Sequence, residues 1–246
     1  MLAGAAILSM NEQSRRAYGG LSESVRHPVQ GAVEEAVDDT ASAHEGDRRP
    51  TGINWDTLKL LNPDVAAWVS VEGTDVDLPV MAPADRDMTY YLRHDLWRRW
   101  VLAGTPFLDH RSDADGPHRL VYGHHLATGG QFSSLQRAHR QEIFETLGSC
   151  VWQTPGEGAT SLEPFCALMV DMWYAPIQTF GFDGDAGLRD WLRARAAAAT
   201  ARNAGYSELA EGARSALTLV TCTSDLSHQR WRTLVIFVQR TGAGPP

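Results

Sequence analysis

Lysine is nearly absent from this chain, since Lys59 is the single lysine among 246 residues. Acidic side chains outnumber basic ones by 30 to 22, and the formal net charge is −8. A nucleic-acid partner requires a basic face that offsets phosphate charge, so this balance argues against one. Wholesale disorder is also disfavoured, because 43% of the residues are hydrophobic and eight are Trp.

Cysteines are too few for a disulfide scaffold, and the three present lack the spacing of zinc ligands. Cys150 and Cys166 flank a turn-rich stretch, so they are either bridged across a hairpin or two buried thiols. Cys222 stands apart, and a single cysteine with a distant histidine is a candidate nucleophile. We expect no metal site and no cofactor.

Long hydrophobic runs are also missing, because no stretch approaches the roughly 20 apolar residues of a membrane-spanning helix. Residues 1–10 are apolar but short, and no basic residues precede them as in a signal peptide. Two interpretations stay open for them: the remnant of a longer membrane anchor, or an ordinary apolar segment. Residues 11–52 are polar, with helical character around 11–38, and predict a linker or stalk. The folded domain is expected at 53–246.

Short apolar or alternating runs between Gly and Pro turns predict many short strands. The predicted strands are 67–74, 76–80, 103–108, 119–122, 150–153, 165–174, 216–221 and 233–239. A short helix around Leu58 is predicted to end at Asn62, and residues 132–147 have helical spacing. After Asp183, apolar residues at i, i+3, i+4 and i+8 predict a helix of about four turns. This pattern indicates a mainly β barrel or sandwich with helical insertions.

Reactive and charged side chains occur where predicted strands meet loops. Cys222 ends one apolar strand, and His124 follows another just before a Gly-rich loop. Arg230 and Arg232 open the last strand, so we expect these groups on one rim. Such a set suits acyl transfer: a thiolate attacks an amide carbonyl, an imidazolium protonates the leaving amine, and a guanidinium steadies the oxyanion. Alternatively, Cys222 is a buried strand thiol and His124 a turn residue.

Six ordered segments carry a family pattern. They are Asn62–Val69 (NPDVAAWV), Gly73–Val80 (GTDVDLPV), Tyr90–Leu92 (YYL), Gly104–Asp109 (GTPFLD), Tyr122–His124 (YGH) and Thr218–Cys222 (TLVTC). With these segments the chain resembles the sortases, most closely class B. The long helix predicted before the last two strands of this chain is similar to the extra helix of class B. The resemblance implies a closed sortase-type β-barrel with helical insertions. Leu78 departs from the pattern at a usual aromatic position, and His125 stands where Asn is frequent.

The resemblance also implies an activity, a cysteine transpeptidase that cleaves the C-terminal sorting signal of a surface protein. Cys222 would hold the cleaved protein as a thioester, and His124 would serve as general acid and then as base. The acyl group would pass to an amine of the cell wall or of a pilin subunit. The implied location is the extracytoplasmic face of the membrane in a Gram-positive-type bacterium, with the anchor incomplete in this chain.

The choice of arginine rests on the spacing from Cys222, which is ten residues for Arg232 and eight for Arg230. We prefer Arg232, because the uninterrupted strand starts directly after it. Substrate contacts are expected from three flanking residues, Thr221, Thr223 and His125. Two other classes of function stay open: a papain-like thiol hydrolase that releases its product to water, and a catalytically silent binding module.

Overall fold

The structure is a computed structural model that describes residues 2–26, 52–83, 87–223 and 230–240. The strands are β1 (Val65–Val71), β2 (Asp77–Met81), β3 (Phe107–Leu108), β4 (His118–Tyr122), β5 (Cys150–Thr154), β6 (Gly158–Asp171), β7 (Ala201–Arg202), β8 (Ala213–Cys222) and β9 (Trp231–Arg240). The α-helices are α1 (Leu2–Val25), α2 (Trp55–Leu61), α3 (Gln141–Phe144), α4 (Gly184–Ala198) and α5 (Tyr206–Glu211).

The strands form one sheet that closes on itself. Its order is β5-β1-β2-β3-β4-β8-β9-β6-β7, and β5 also pairs with β6. Eight strands therefore make a closed barrel, and β7 adds only two residues at the edge of β6. The helix α4 precedes the long strands β8 and β9. The predicted mainly β barrel with helical insertions is confirmed.

Strand β8 is buried on both of its faces, which explains its almost continuous apolar sequence. Leu217 and Leu219 pack into one hydrophobic cluster with the interior residues of the barrel. Ala216 and Val220 point the other way, into a second cluster that includes Trp191 of helix α4. Because side chains alternate along a strand, Cys222 follows Val220 on the outer face of the barrel.

Helix α1 differs from the polar linker or stalk expected at residues 11–52. Tyr18, Leu21 and Val25 share one face of the helix and are buried in a cluster with Trp68 and Tyr91. Their i, i+3, i+7 spacing is helical, and polar neighbours masked it in the sequence. Packing against the barrel therefore begins before Ile53.

Residues 27–51, the rest of the predicted linker, lie outside the described residues. Helix α1 takes in residues 2–10, part of the apolar segment interpreted as an anchor remnant. Within the described ranges, no helix combines the length and the apolar character needed to cross a membrane.

Two predicted elements are shorter in the structure than in the sequence pattern. The strand expected at 103–108 is reduced to β3, because Gly104 takes a left-handed conformation, with φ of 57°, just before it. The helical spacing at 132–147 yields a 3₁₀ turn at Ser133–Leu135 and the short helix α3. The extended backbone of Arg140 separates the two pieces.

The Cys150–Cys166 bridge considered from the sequence is wrong, because both thiols are free and buried. Cys150 lies opposite Leu162 in the β5–β6 ladder, so Cys166 is four residues further along β6. At about 3.3 Å per residue, that offset exceeds the separation a disulfide spans. The alternative of two buried thiols is confirmed.

Candidate active site

A cavity of about 770 Å³ lies on the outer face of the barrel, where β8 and β9 meet the segment that follows β4. Cys222, His124 and Arg232 all line it. Its apolar lining includes Leu108, Val170, Ile177, Val220 and Leu234. The structure therefore brings together the three residues that the sequence pattern singled out.

Cys222 is the last residue of β8, and its side chain is half-buried. In the antiparallel β8–β9 ladder its direct partner is Arg232. Directly opposed side chains lie on the same face of a sheet, with Cβ atoms about 4.5–5.5 Å apart. The side chains of Cys222 and Arg232 therefore leave the sheet next to each other, and both line the cavity.

His124 is brought level with Cys222 by the parallel pairing of β4 with β8. Tyr122 is the ladder partner of Val220, and the Gly123 N–H still donates to the Val220 carbonyl at 3.0 Å. Two residues beyond the last ladder pair, His124 and Cys222 therefore face the same side.

Gly123 is required at this point because the ring of Phe132 packs on its backbone. A Cβ atom at Gly123 would lie 2.4 Å from a ring carbon of Phe132, which is fully buried in the barrel. The Phe132 N–H also donates to the His124 carbonyl at 3.0 Å. The close approach of this ring gives a physical reason for the glycine before the histidine.

The imidazole of His124 is held through one nitrogen and is electrostatically biased to be neutral. Its Nε2 forms a 2.9 Å hydrogen bond with the Leu92 carbonyl, which leaves Nδ1 as the nitrogen that gains and loses a proton. Burial lowers the pKa of His124, and the positive charges of Arg93 and Arg232 lower it further. The Leu92 carbonyl acts in the opposite sense, but the net direction is downward.

The two candidate arginines have different surroundings. Arg230 precedes β9, its side chain is 72% exposed, and its Nε donates to Asp171 at 2.8 Å. Arg230 is not part of the cavity lining, whereas Arg232 is, and the charge of Arg232 acts on His124. The alternation of side chains along a strand could not distinguish Arg230 from Arg232, whereas their positions relative to the cavity do.

The three expected substrate contacts are only partly brought to the cavity. Thr221 and His125 line it, whereas Thr223 does not. Thr221 is 2% exposed, and its Oγ1 has no hydrogen-bond partner among the described residues. Thr223 instead forms hydrogen bonds with β9: its N–H donates to the Trp231 carbonyl, and its hydroxyl accepts from the Thr233 hydroxyl.

Sequence reasoning missed other groups around the cavity. The Leu92 carbonyl is a backbone atom and leaves no signature in the sequence. Asp171, the partner of Arg230, lines the cavity from the end of β6. In the described parts of the chain, no cluster of three or more His, Cys, Asp or Glu side chains could hold a metal ion.

Asp109, the last residue of the Gly104–Asp109 segment, accepts hydrogen bonds from the backbone and guanidinium of Arg111 and from Tyr122. Burial acts to raise the pKa of Asp109, but the hydrogen bonds from Arg111 outweigh it and hold that pKa below its usual range. Asp109 is therefore an ionised partner of Arg111 beside the cavity.

Comparison with known proteins gives short matches in sequence. No protein-family model matches the chain. The chain is 28% identical to sortase B of Listeria monocytogenes over 109 residues, which cover 41% of this chain and 44% of that relative. It is 27% identical to sortase B of Staphylococcus aureus over 107 residues, or 42% and 41% of the two chains. The matched part thus spans less than half the length of these curated relatives.

Comparison of structures gives a match over nearly the whole chain. The Staphylococcus aureus sortase B–substrate complex superposes with a TM-score of 0.71 at 19% sequence identity. The superposition covers 94% of this chain and 99% of that one. The likeness in fold therefore extends well beyond the segment matched in sequence.

Proposed function

Since this chain has the sortase fold and is most similar to class B sortases, we propose that it is a cysteine transpeptidase. It cleaves a sorting signal near the C-terminus of a secreted surface protein and transfers the new acyl end to an amine. The observation that carries the proposal is the cavity shared by Cys222, His124 and Arg232, with Cys222 directly opposite Arg232.

In the first half-reaction the Cys222 thiolate attacks the carbonyl carbon of the scissile peptide bond. The carbonyl oxygen takes the negative charge, and the guanidinium of Arg232 donates hydrogen bonds to it. His124, in its imidazolium form, gives the Nδ1 proton to the departing amine as the C–N bond breaks. The products are a thioester on Cys222 and the free C-terminal fragment.

In the second half-reaction an incoming amine attacks the thioester carbonyl. His124 is now neutral, and its Nδ1 takes the proton that the amine loses. The C–S bond breaks, Cys222 leaves as a thiolate, and a new amide joins the two substrates. The lowered pKa of His124 suits this step, because it keeps the base available near neutral pH.

The cavity supports an extended peptide as first substrate. Its volume of about 770 Å³ lies within the range of ligand sites, and its mainly apolar lining also includes polar and charged side chains. Sortase B of Staphylococcus aureus has been solved with a substrate bound, and by likeness we assign a sorting-signal peptide to this chain. The acceptor is an amine of the cell wall or of a pilin subunit, which implies the surface of a Gram-positive-type bacterium.

The experiment that tests this function compares the products formed with and without an amine. The purified chain is incubated with a library of sorting-signal peptides, and the products are separated and weighed by mass spectrometry. We expect products joined to the amine, their loss in Cys222→Ala, and their retention in Cys166→Ala, which removes a buried thiol away from the cavity. Cleavage that yields only the hydrolysed acid, even at high amine concentration, would indicate a thiol hydrolase.

A silent binding module predicts a different result for the same incubation. Peptide would bind without cleavage, and Cys222→Ala would bind as tightly as the parent chain. Formation of either product by the parent chain excludes that alternative.

A further inference from the structure

We propose that helix α1 positions the imidazole of His124, through hydrogen bonds from the Tyr18 hydroxyl to the segment at residues 91–105. The role given to His124 rests on the proposed function, whereas the contacts themselves are structural. Tyr18 is a positioning residue in this account, because it acts through the backbone that receives the His124 ring.

The chain of contacts begins at the Leu92 carbonyl, which forms the hydrogen bond with His124 Nε2. Leu92 ends a 3₁₀ turn whose preceding residue, Tyr91, is fully buried. The Tyr91 carbonyl accepts a 2.9 Å hydrogen bond from the Thr105 N–H. The position of the His124 partner therefore depends on where Thr105 is held.

Gly104 shows how closely these backbone segments approach. Its φ of 57° lies in the left-handed region, and a Cβ atom there would lie 2.4 Å from the Tyr91 oxygen and 2.8 Å from the Leu92 oxygen. Both neighbours are backbone atoms, which cannot move aside as a flexible side chain would. Gly104 therefore lies against the carbonyls of Tyr91 and Leu92, with no room for a side chain.

The Tyr18 hydroxyl connects two residues of this segment, Leu96 and Thr105. The hydroxyl oxygen is 2.7 Å from Thr105 Oγ1, and it accepts a hydrogen bond from the Leu96 N–H at 3.1 Å. The single hydroxyl proton of Thr105 is donated to the His94 carbonyl. The hydrogen bond between the two hydroxyls must therefore be donated by Tyr18 to Thr105.

The Tyr18 hydroxyl is well suited to this fixed arrangement. The side chain is 4% exposed, so no bulk water competes for its donor or acceptor sites. Burial raises the pKa of Tyr18, and the hydroxyl keeps its proton throughout the neutral range. Removing either hydroxyl leaves a buried polar group without a partner, which is more costly than removing an exposed one.

The consequence for His124 concerns which nitrogen carries the proton. While the Leu92 carbonyl is held in place, the neutral imidazole keeps its proton on Nε2 and presents Nδ1 as the base. When the segment is loosened, the ring samples both tautomers and more than one orientation. Turnover then falls because the proton transfer is misaligned, whereas peptide binding in the apolar part of the cavity is little changed.

Two variants break this chain of contacts at different points. Tyr18→Phe keeps the ring in its packing site and removes only the hydroxyl, and Thr105→Val keeps the shape of the side chain. Thr105→Ser retains the hydroxyl and is expected to restore the parent behaviour. Ser22→Ala is the matched control: Ser22 lies one turn further along α1, and its hydroxyl donates to Asp77 and not to the 91–105 segment.

The first measurement is independent of activity. Nitrogen-15 NMR of the neutral His124 imidazole is expected to report the Nε2–H tautomer in the parent chain, in Thr105→Ser and in Ser22→Ala. A mixture of tautomers is expected in Tyr18→Phe and in Thr105→Val. An unchanged tautomer in both folded variants, or the same mixture in Ser22→Ala, would overturn the proposal.

The second measurement is turnover of one peptide with a fixed amine. Tyr18→Phe and Thr105→Val are each expected to lower kcat about 3- to 10-fold, the range of one lost hydrogen bond, with KM little changed. The double variant should be no worse than the worse single variant, because both break one chain of contacts. A higher KM with unchanged kcat, or a double variant whose loss in kcat is the full product of the two single losses, would contradict the proposal. If no peptide is turned over, the proposed function fails while the tautomer test still stands.

Discussion

Cys222 and Arg232 are direct partners across the β8–β9 ladder, so the thiol and the guanidinium approach the cavity from adjacent strands. Arg230 is only two residues away, but it lies outside the cavity lining and is bound to Asp171. Residues two apart on a strand point to the same face, but the strand register places only Arg232 opposite Cys222.

Arg232→Lys is expected to lower transpeptidation by about 10²–10³, the usual loss when an oxyanion donor is removed. Lysine cannot reproduce the planar pair of donors of a guanidinium. Arg230→Lys, the matched control, should change the rate several-fold at most. Arg230 forms a solvent-exposed ion pair with Asp171, and such pairs contribute little. Turnover of one peptide by both variants decides the matter, and a crippled Arg230→Lys with an active Arg232→Lys would reverse our assignment.

The charge of Arg232 should also be visible in the titration of His124. Burial and nearby guanidinium groups hold the pKa of His124 below its ordinary value of about 6.5. A neighbouring cation disfavours the imidazolium, so removing it in Arg232→Gln raises that pKa. NMR titration of the imidazole measures the shift, with Arg230→Gln as the control that leaves the midpoint in place. A lower midpoint in Arg232→Gln would contradict the geometry.

Alkylation should distinguish the three thiols. Burial strongly raises the pKa of Cys150 and of Cys166, so neither forms the reactive thiolate while the chain is folded. Cys222 is half-buried and lines the cavity. Brief treatment with iodoacetamide, followed by peptide mapping, is expected to label Cys222 alone in the native chain and all three thiols in denaturant. Early labelling of Cys150 would refute the burial described here.

His118 is expected to make the fold sensitive to acid. Burial lowers the pKa of His118 to about 4, and its ring donates to the Thr179 carbonyl and accepts from Thr218. The pKa of this histidine is about 4 in the folded chain and about 6.5 in the unfolded chain. At pH values between the two, the unfolded chain binds more protons than the folded chain. Stability therefore rises with pH across this window and falls by about 3 kcal/mol from pH 6.5 to 4.

The variant that isolates this contribution is His118→Gln, which removes the titrating group. Urea unfolding at several pH values is expected to show a smaller loss of stability on acidification in the variant than in the parent chain. Parallel curves for the two proteins would mean that His118 does not titrate as its burial requires.

Much of the barrel could be predicted from local patterns, because those patterns record burial directly. Strand β8 is apolar on both faces since it lies between the barrel interior and helix α4. The alternation and turn residues near β1 and β2 located those strands within a few residues. Cys222 ends strand β8 and His124 follows strand β4, as the sequence pattern indicated, and the two strands are parallel neighbours in the sheet.

Other features depend on long-range contacts and carry no local signature. Helix α1 buries only Tyr18, Leu21 and Val25 among its described side chains, too sparse a pattern to predict docking. The Leu92 carbonyl that binds His124 is a backbone group, so no residue type marks it. The Asp171–Arg230 ion pair depends on the β6–β9 register, which the sequence does not specify.

The central claim, that Cys222 carries the acyl group, is tested most directly by mass spectrometry of the intact chain during turnover. With a cleaved peptide and no amine, we predict a mass increase equal to the N-terminal peptide fragment minus the elements of water. Proteolytic mapping should place it on Cys222, and added amine should remove it and yield the joined product. Peptide cleavage with no adduct on Cys222, or with the adduct on another residue, would contradict the account.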